Sequence, residues 1–273
     1  KCEYQLAVTN QSESQRDMLR RLELPYELHH ELLAYCKKKK IDFLSTAFDV
    51  ESLQFLDKTL NLEYFKIPSG EITNGPLLLE FALTQKPLIL STGMATLAEI
   101  EQALAVIAFG LTNGDSPSLP AFKAAYLSQE GQAALHGKVS LLHCTSLYPT
   151  PVDHVNLKAM DSLKQSFNLP VGYSDHTTGI NISIAAVARG AQIIEKHFTL
   201  DKNLSGPDHK ASLDPTELRA MISGIRDVEF AMGDGIKKPF ESELETLRVA
   251  RKSLVAAKNI KQGENYSQDN LSV

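Results

Sequence analysis

The sequence predicts an α/β fold of the (β/α)8 TIM-type barrel class, on three observations. Short apolar segments with polar ends start near residues 41, 64, 88, 139, 171 and 192. Each is followed by a helical pattern, the order expected of a parallel sheet with helices outside. No Gly-rich dinucleotide loop follows any of these segments, which argues against a doubly wound sheet. Six strands are two fewer than a closed barrel needs, so the first two are expected ahead of Lys1. The opening Lys1-Cys2-Glu3-Tyr4 has no initiator Met, as expected of part of a longer chain.

Residues 1–25 are polar and weakly periodic and predict a long surface loop, docked by Met18, Leu19, Leu22 and Leu24. A helix is predicted over 25–40 with Leu28, Leu32, Leu33 and Tyr35 on its inner side. Its basic end at 37–40 reads as a solvated C-terminus whose cations oppose the helix dipole, ahead of a phosphate patch. The rhythm then begins: strand 41–46, helix 50–60, strand 64–67, helix 76–84, strand 87–92, and a helix through Ile107 capped by Thr96. Residues 111–137 interrupt it as an elaborated surface connection with a helical piece over 120–135. Strand 139–144 and a helix over 157–167 follow.

Two further strands, ending near His176 and His197, flank a buried helix that closes at Gly190. A right-handed crossover puts both histidines at the same end of neighbouring strands, where two imidazoles are donors for a divalent metal. The last long helix spans 215–232, and the chain 1–250 is read as one barrel domain. Ser253-Leu254-Val255-Ala256-Ala257 and a turn at 261–264 predict a small β domain that begins after about Arg251 and is cut off at Val273.

The composition excludes several classes. Apolar residues make up 43% of 273, ample for a core, and 28 basic against 33 acidic residues offer no general attraction to nucleic acid. No apolar run reaches the roughly 18 residues of a membrane span, and no signal peptide opens the sequence. Cys2, Cys36 and Cys144 form no CxxC pair and suit a reducing, cytoplasmic setting.

In such a barrel the reactive groups stand at the C-terminal strand ends. Those ends carry Ser45 and Thr46; Lys66, Ser69 and Glu71; Ser91 and Thr92; Thr145, Ser146 and Tyr148; Ser174, Asp175 and His176; Glu195 and His197. Hydroxyls and one ammonium are what bind a phosphate inside a pocket, although Ser and Thr at strand ends also cap helices. Lys66 stands between Phe65 and Ile67, and an inward lysine without an anion would be costly. His29, His30, His136 and His154 fall in helices or loops and are expected to be solvated.

Six segments then carry a resemblance: Lys66-Ile67-Pro68-Ser69-Gly70-Glu71, Leu90-Ser91-Thr92-Gly93-Met94, Leu142-His143-Cys144-Thr145-Ser146-Leu147-Tyr148-Pro149-Thr150-Pro151, Gly172-Tyr173-Ser174-Asp175-His176-Thr177, Glu195-Lys196-His197-Phe198-Thr199 and Gly206-Pro207-Asp208-His209. In this order they resemble the bacterial sialic acid synthase family, over nearly the whole chain. The resemblance implies condensation of phosphoenolpyruvate with an N-acetylated amino-sugar aldehyde, N-acetylmannosamine or a diacetamido trideoxy hexose. The products would be a nine-carbon 2-keto acid and phosphate. It also implies a Mn²⁺ or Mg²⁺ cofactor, a following antifreeze-like domain and a homodimer in which that domain reaches the partner's site.

By that resemblance His176 and His197 hold the metal, while Lys66, Thr46, Ser69, Ser91, Ser146 and Ser174 bind phosphoenolpyruvate. Tyr148 and Asp208 contact the sugar, Glu195 orients the metal or handles protons, and Glu71 lies in the same pocket. Some family members carry Asn where Ser146 stands. The family's barrel-opening glutamate and second phosphate-binding lysine, and the arginine reaching across the dimer, fall outside the sequence; residues 1–273 alone are expected to form an open, poorly active barrel. Two alternatives remain: another metal-dependent aldol-type enzyme using pyruvate, and a non-catalytic sugar- or metal-binding barrel.

Overall fold

The structure is a computed structural model that describes residues 14–273. The described residues divide into two compact units, one ending at Ala231 and the other Met232–Val273.

The first unit is built on five parallel strands: β1 (Phe65–Ile67), β2 (Leu88–Ser91), β3 (Val139–Cys144), β4 (Val171–Asp175) and β5 (Ile194–Lys196), in that order across the sheet. The register runs Lys66 beside Ile89, Ser91 beside Leu142, Cys144 beside Ser174, and Ser174 beside Glu195. Adjacent strands lie about 4.8 Å apart, so a flat sheet would hold β1 and β5 roughly 19 Å apart, farther than two side chains reach. Lys66 Nζ of β1 nevertheless lies 3.5 Å from Glu195 Oε1 of β5. The sheet is therefore curled into a half-barrel whose C-terminal ends converge.

Helices cover its outer face. After β1, Asn74 caps α4 (Gly75–Leu83) by accepting a hydrogen bond from the Leu77 amide, and Leu77, Leu78, Phe81 and Ala82 are buried. After β2, α5 (Leu97–Leu111) opens on a capping box in which Thr96 and Glu99 satisfy each other's backbone amides, and Ile100, Leu104 and Ile107 enter the core. Between α5 and β3 the insertion forms two helices, α6 (Leu119–Leu127) and α7 (Gln129–Lys138), where one was predicted. Ser128 makes the break: its backbone is extended, and its hydroxyl accepts from the Gly131 amide at 2.9 Å. Then come α8 (Ala159–Phe167), α9 (Asn181–Ala188) between β4 and β5, and α10 (Pro215–Met232).

Three expectations near the start are corrected. Of the loop expected over 1–25, residues 1–13 lie outside the described residues, and Gln15–Leu22 is a helix, α1, whose N-cap Ser14 accepts from the Asp17 amide. Only Met18 of its apolar residues is fully buried. In α2 (Tyr26–Lys39) the inward row is His29 and Leu33, four residues apart, while Leu28, Leu32 and Tyr35 stay 40%, 38% and 57% exposed. Residues 41–46 form no strand, because no described segment pairs with them at the free edge of β1. Among the described residues the sheet thus has five strands where six were read. After that stretch α3 (Val50–Gln54) runs into a π-turn over Phe55–Thr59.

Within Met232–Val273, α11 (Leu244–Ala250) precedes an antiparallel pair, β6 (Val255–Ala256) and β7 (Leu271–Ser272). Asn270 is buried there, its side-chain amide donating to the Asn265 carbonyl at 2.9 Å. Among the described residues no helix is long and apolar enough to cross a membrane.

Candidate active site

The pocket stands at the converging C-terminal ends of β1 to β5. Alternation along each strand decides which side chains enter it. On β1, Phe65 and Ile67 are fully buried in the core, and Lys66 between them reaches Glu195. On β4, Ser174 donates to the same Glu195 oxygen at 2.6 Å. Glu195 is thus held by an ammonium and a hydroxyl from two other strands.

A floor of small polar groups lies beneath. The Gly93 amide donates to Ser69 Oγ at 2.9 Å, and Ser69 Oγ lies 3.2 Å from Cys144 Sγ. Gly93 is glycine because of close approach: a Cβ there would stand 2.4 Å from Ser146 Oγ, 2.6 Å from Cys144 Sγ and 2.9 Å from Ser69 Oγ. The same contacts bring Ser69 of the β1 loop and Ser146 of the β3 loop to one spot beside the end of β2. Ser91, at 1% exposure, has a buried hydroxyl with no hydrogen-bond partner among the described residues.

The histidines sit on the other flank. Their rings are 5.4 Å apart at 76°, and Tyr148 lies against both, at 4.1 Å from His176 and 5.5 Å from His197. His176 Nδ1 is 2.8 Å from the Thr145 carbonyl, which only accepts, so Nδ1 carries the proton and Nε2 a lone pair. Ser174 Oγ lies 3.4 Å from that Nε2, but its one proton goes to Glu195. Burial lowers the His176 pKa, opposed by the Thr145 bond, and keeps the ring neutral. A neutral imidazole whose far nitrogen is pinned to a carbonyl is the form that ligates metals. His197 Nδ1 is 3.9 Å from Asp208 Oδ2, and Asp208 Oδ1 is buried without a partner among the described residues. Two imidazoles and a carboxylate oxygen are donors that suit a divalent first-row transition ion better than a hard cation held by oxygens alone. Among the described residues no group of three or more His, Cys, Asp or Glu side chains is already gathered for one.

The other sequence candidates fall elsewhere. Glu71 accepts from Asn74 Nδ2 at 2.7 Å and so braces the cap of α4. Thr46 is off the sheet, lining a hollow with Tyr26, His29, Asp49 and Phe55. His30, His136 and His154 are exposed as expected, but His29 is buried and corrects that reading: its ring bridges the Pro25 carbonyl and Ser45 Oγ, each at 3.0 Å. A histidine amid Tyr26, Phe43 and Phe55 is packed as an aromatic.

Sequence reasoning passed over Gly93, Cys144 and Lys196. Lys196 forms an almost wholly buried ion pair with Asp175 at 2.9 Å, and burial lowers its pKa against the pull of that carboxylate. Period-two alternation from Glu195 and His197 was the available signal for an outward lysine.

The model of the NeuB family matches residues 1–237. The N,N'-diacetyllegionaminic acid synthase of Campylobacter jejuni is 53% identical, over 100% of this chain and 75% of that protein. The enzyme of the same name from Legionella pneumophila is 42% identical, over 99% and 70%. Among solved structures, the N-acetylneuraminic acid synthetase of Leptospira borgpetersenii in complex with citrate aligns with a TM-score of 0.71 at 33% identity, over 87% of this chain and 75% of that one.

Proposed function

The chain belongs to the NeuB family, and from that premise we propose that its strand ends join phosphoenolpyruvate to an N-acetylated amino-sugar aldehyde, giving a nine-carbon 2-keto acid and inorganic phosphate. One observation carries this reading. Lys66 and Glu195 meet across the curled sheet, beside clustered hydroxyls of which Ser91 is buried and unpaired. An ammonium with convergent hydroxyls suits a phosphate, and charge-assisted hydrogen bonds make such a site a strong one.

In this reading Lys66, Ser69, Ser91, Ser146 and Ser174 hold the phosphate and carboxylate of phosphoenolpyruvate. Tyr148 and Asp208 hold the sugar beside the histidines. His176 and His197 would hold Mn²⁺ or Mg²⁺, which when bound supplies Lewis-acid polarisation of an aldehyde oxygen. The new bond joins C3 of phosphoenolpyruvate to the aldehyde carbon; water adds at C2, and the C2–O bond to phosphate breaks as the C2 hydroxyl becomes the ketone. Of the two water protons, one leaves with phosphate and the other ends on the aldehyde oxygen. Glu195, fixed by Ser174 and Lys66, is the carboxylate placed to carry it. Cytoplasmic residence, a homodimer and an antifreeze-like character for the C-terminal unit belong to the same proposal.

Two relatives named as N,N'-diacetyllegionaminic acid synthases, at 53% and 42% identity, favour the diacetamido trideoxy hexose leading to legionaminic acid as acceptor. The test is phosphate release from phosphoenolpyruvate with that sugar, with its pseudaminic counterpart and with N-acetylmannosamine. The first is expected to turn over fastest. Faster turnover with either other sugar overturns the acceptor, and no phosphate with any of them overturns the condensation.

A further inference from the structure

Asp175, read from the sequence as a strand-end group, and Lys196 form a pair that stands behind the pocket. Ser174 and Glu195 meet inside it, so the alternating residues Asp175 and Lys196 face the helical layer, where Asp175 Oδ2 accepts from Ser183 of α9 at 2.6 Å. The Asp175 and Lys196 side chains are 0% and 3% exposed. The helix-covered face of a parallel sheet is ordinarily apolar. Apolar residues of similar volume are often at least as stable as a buried ion pair, so stability alone does not account for one here.

Its connections indicate another use. Asp175 and Lys196 are directly opposite one another in the β4–β5 ladder. Asp175 Oδ1 accepts from the Thr177 amide and hydroxyl, both at 2.8 Å, and Lys196 Nζ donates to the Thr177 carbonyl at 2.5 Å as well as to Asp175 Oδ2 at 2.9 Å. His176 lies between Asp175 and Thr177, so the residues on both sides of it are tied to Lys196. His197 is the next residue after that lysine.

β5 is only three residues long. A strand that short specifies its register weakly, and a slip of one residue would turn Glu195 and His197 out of the pocket. We propose that the buried Asp175–Lys196 pair is a positioning device, pinning β5 against β4 in the register that sets the spacing of the His176 and His197 imidazoles. The proposal rests on the reading above, in which those imidazoles serve the aldehyde end of the reaction.

Lys196→Met alone strands a buried carboxylate and endangers the fold, so the deciding variant is the double Asp175→Leu, Lys196→Met, compared with Lys196→Arg. The double variant is expected to fold with a cooperative melt and to keep the KM for phosphoenolpyruvate within about threefold. Its Mn²⁺ affinity by titration calorimetry and its kcat are expected to fall about tenfold or more, with Lys196→Arg recovering most of both. A folded double variant with Mn²⁺ affinity and kcat within about twofold of the parent would overturn the proposal. If the parent binds no Mn²⁺ or releases no phosphate, the reading of the site fails separately. The positioning claim is then decided by a crystal structure of the double variant: displaced imidazoles uphold it, and rings still 5.4 Å apart refute it.

Discussion

Ser91 and Gly93 show how single residues shape the pocket. Leaving a buried hydroxyl unpaired costs about 1–3 kcal/mol, so Ser91→Ala is expected to leave the melting temperature unchanged or raise it. The same variant should raise the KM for phosphoenolpyruvate about tenfold, as loss of a hydrogen bond to a charged group does. A fall in melting temperature with unchanged KM would make the hydroxyl structural. Gly93→Ala drives a methyl into Ser69, Cys144 and Ser146 and is expected to weaken phosphoenolpyruvate at least as much, measured by the same kinetics on folded protein. His143, on β3, has its pKa lowered by burial, with the Val155 carbonyl opposing. Below the ordinary imidazole value of about 6.5 the unfolded chain takes a proton that the folded site resists. Its stability contribution is therefore complete above that value and is lost as pH falls through the lower folded value. His143→Gln should flatten the fall in melting temperature as the pH drops below about 6.5. At this scale Lys66, Ser174, Glu195 and the histidine pair were legible because alternation puts them on one face. His29 was not, because helical position says nothing of the aromatic cage formed by Phe43 and Phe55 from distant segments.

Elements with local signals were read closely. Thr96 and Glu99 announce α5 in sequence, and the capping box is present. Thr96→Ala is expected to cost about 1 kcal/mol, seen in denaturant unfolding, with turnover per folded molecule unchanged. Strands β1 to β5 were legible from short apolar runs with polar ends. Residues 41–46 have the same composition and yet no regular structure, because a strand needs a ladder partner and composition carries no information about one. The break at Ser128 was hidden for the opposite reason: Leu119–Leu127 and Gln129–Lys138 are both helical in pattern, and a single extended residue separates them.

For the molecule as a whole, the curl of the sheet is the decisive property. It brings β1 to β5, the two outermost strands, within one ion pair of each other, and Ser174, which donates to Glu195, lies beside His176. Strand order and polar strand ends foretold a barrel-type sheet. The curvature was not written in any one segment, since it comes from the twist and stagger of all five strands together. His176→Ala and His197→Ala are each expected to abolish metal binding and turnover with near-normal melting; unchanged activity in either refutes the metal assignment. The central claim is that a phosphate ester, not free pyruvate, is joined to the sugar. The most direct measurement follows phosphate and 2-keto acid together as phosphoenolpyruvate and the amino sugar are consumed. The condensation predicts equal amounts of both; no phosphate from phosphoenolpyruvate, with 2-keto acid formed when pyruvate replaces it, would contradict it.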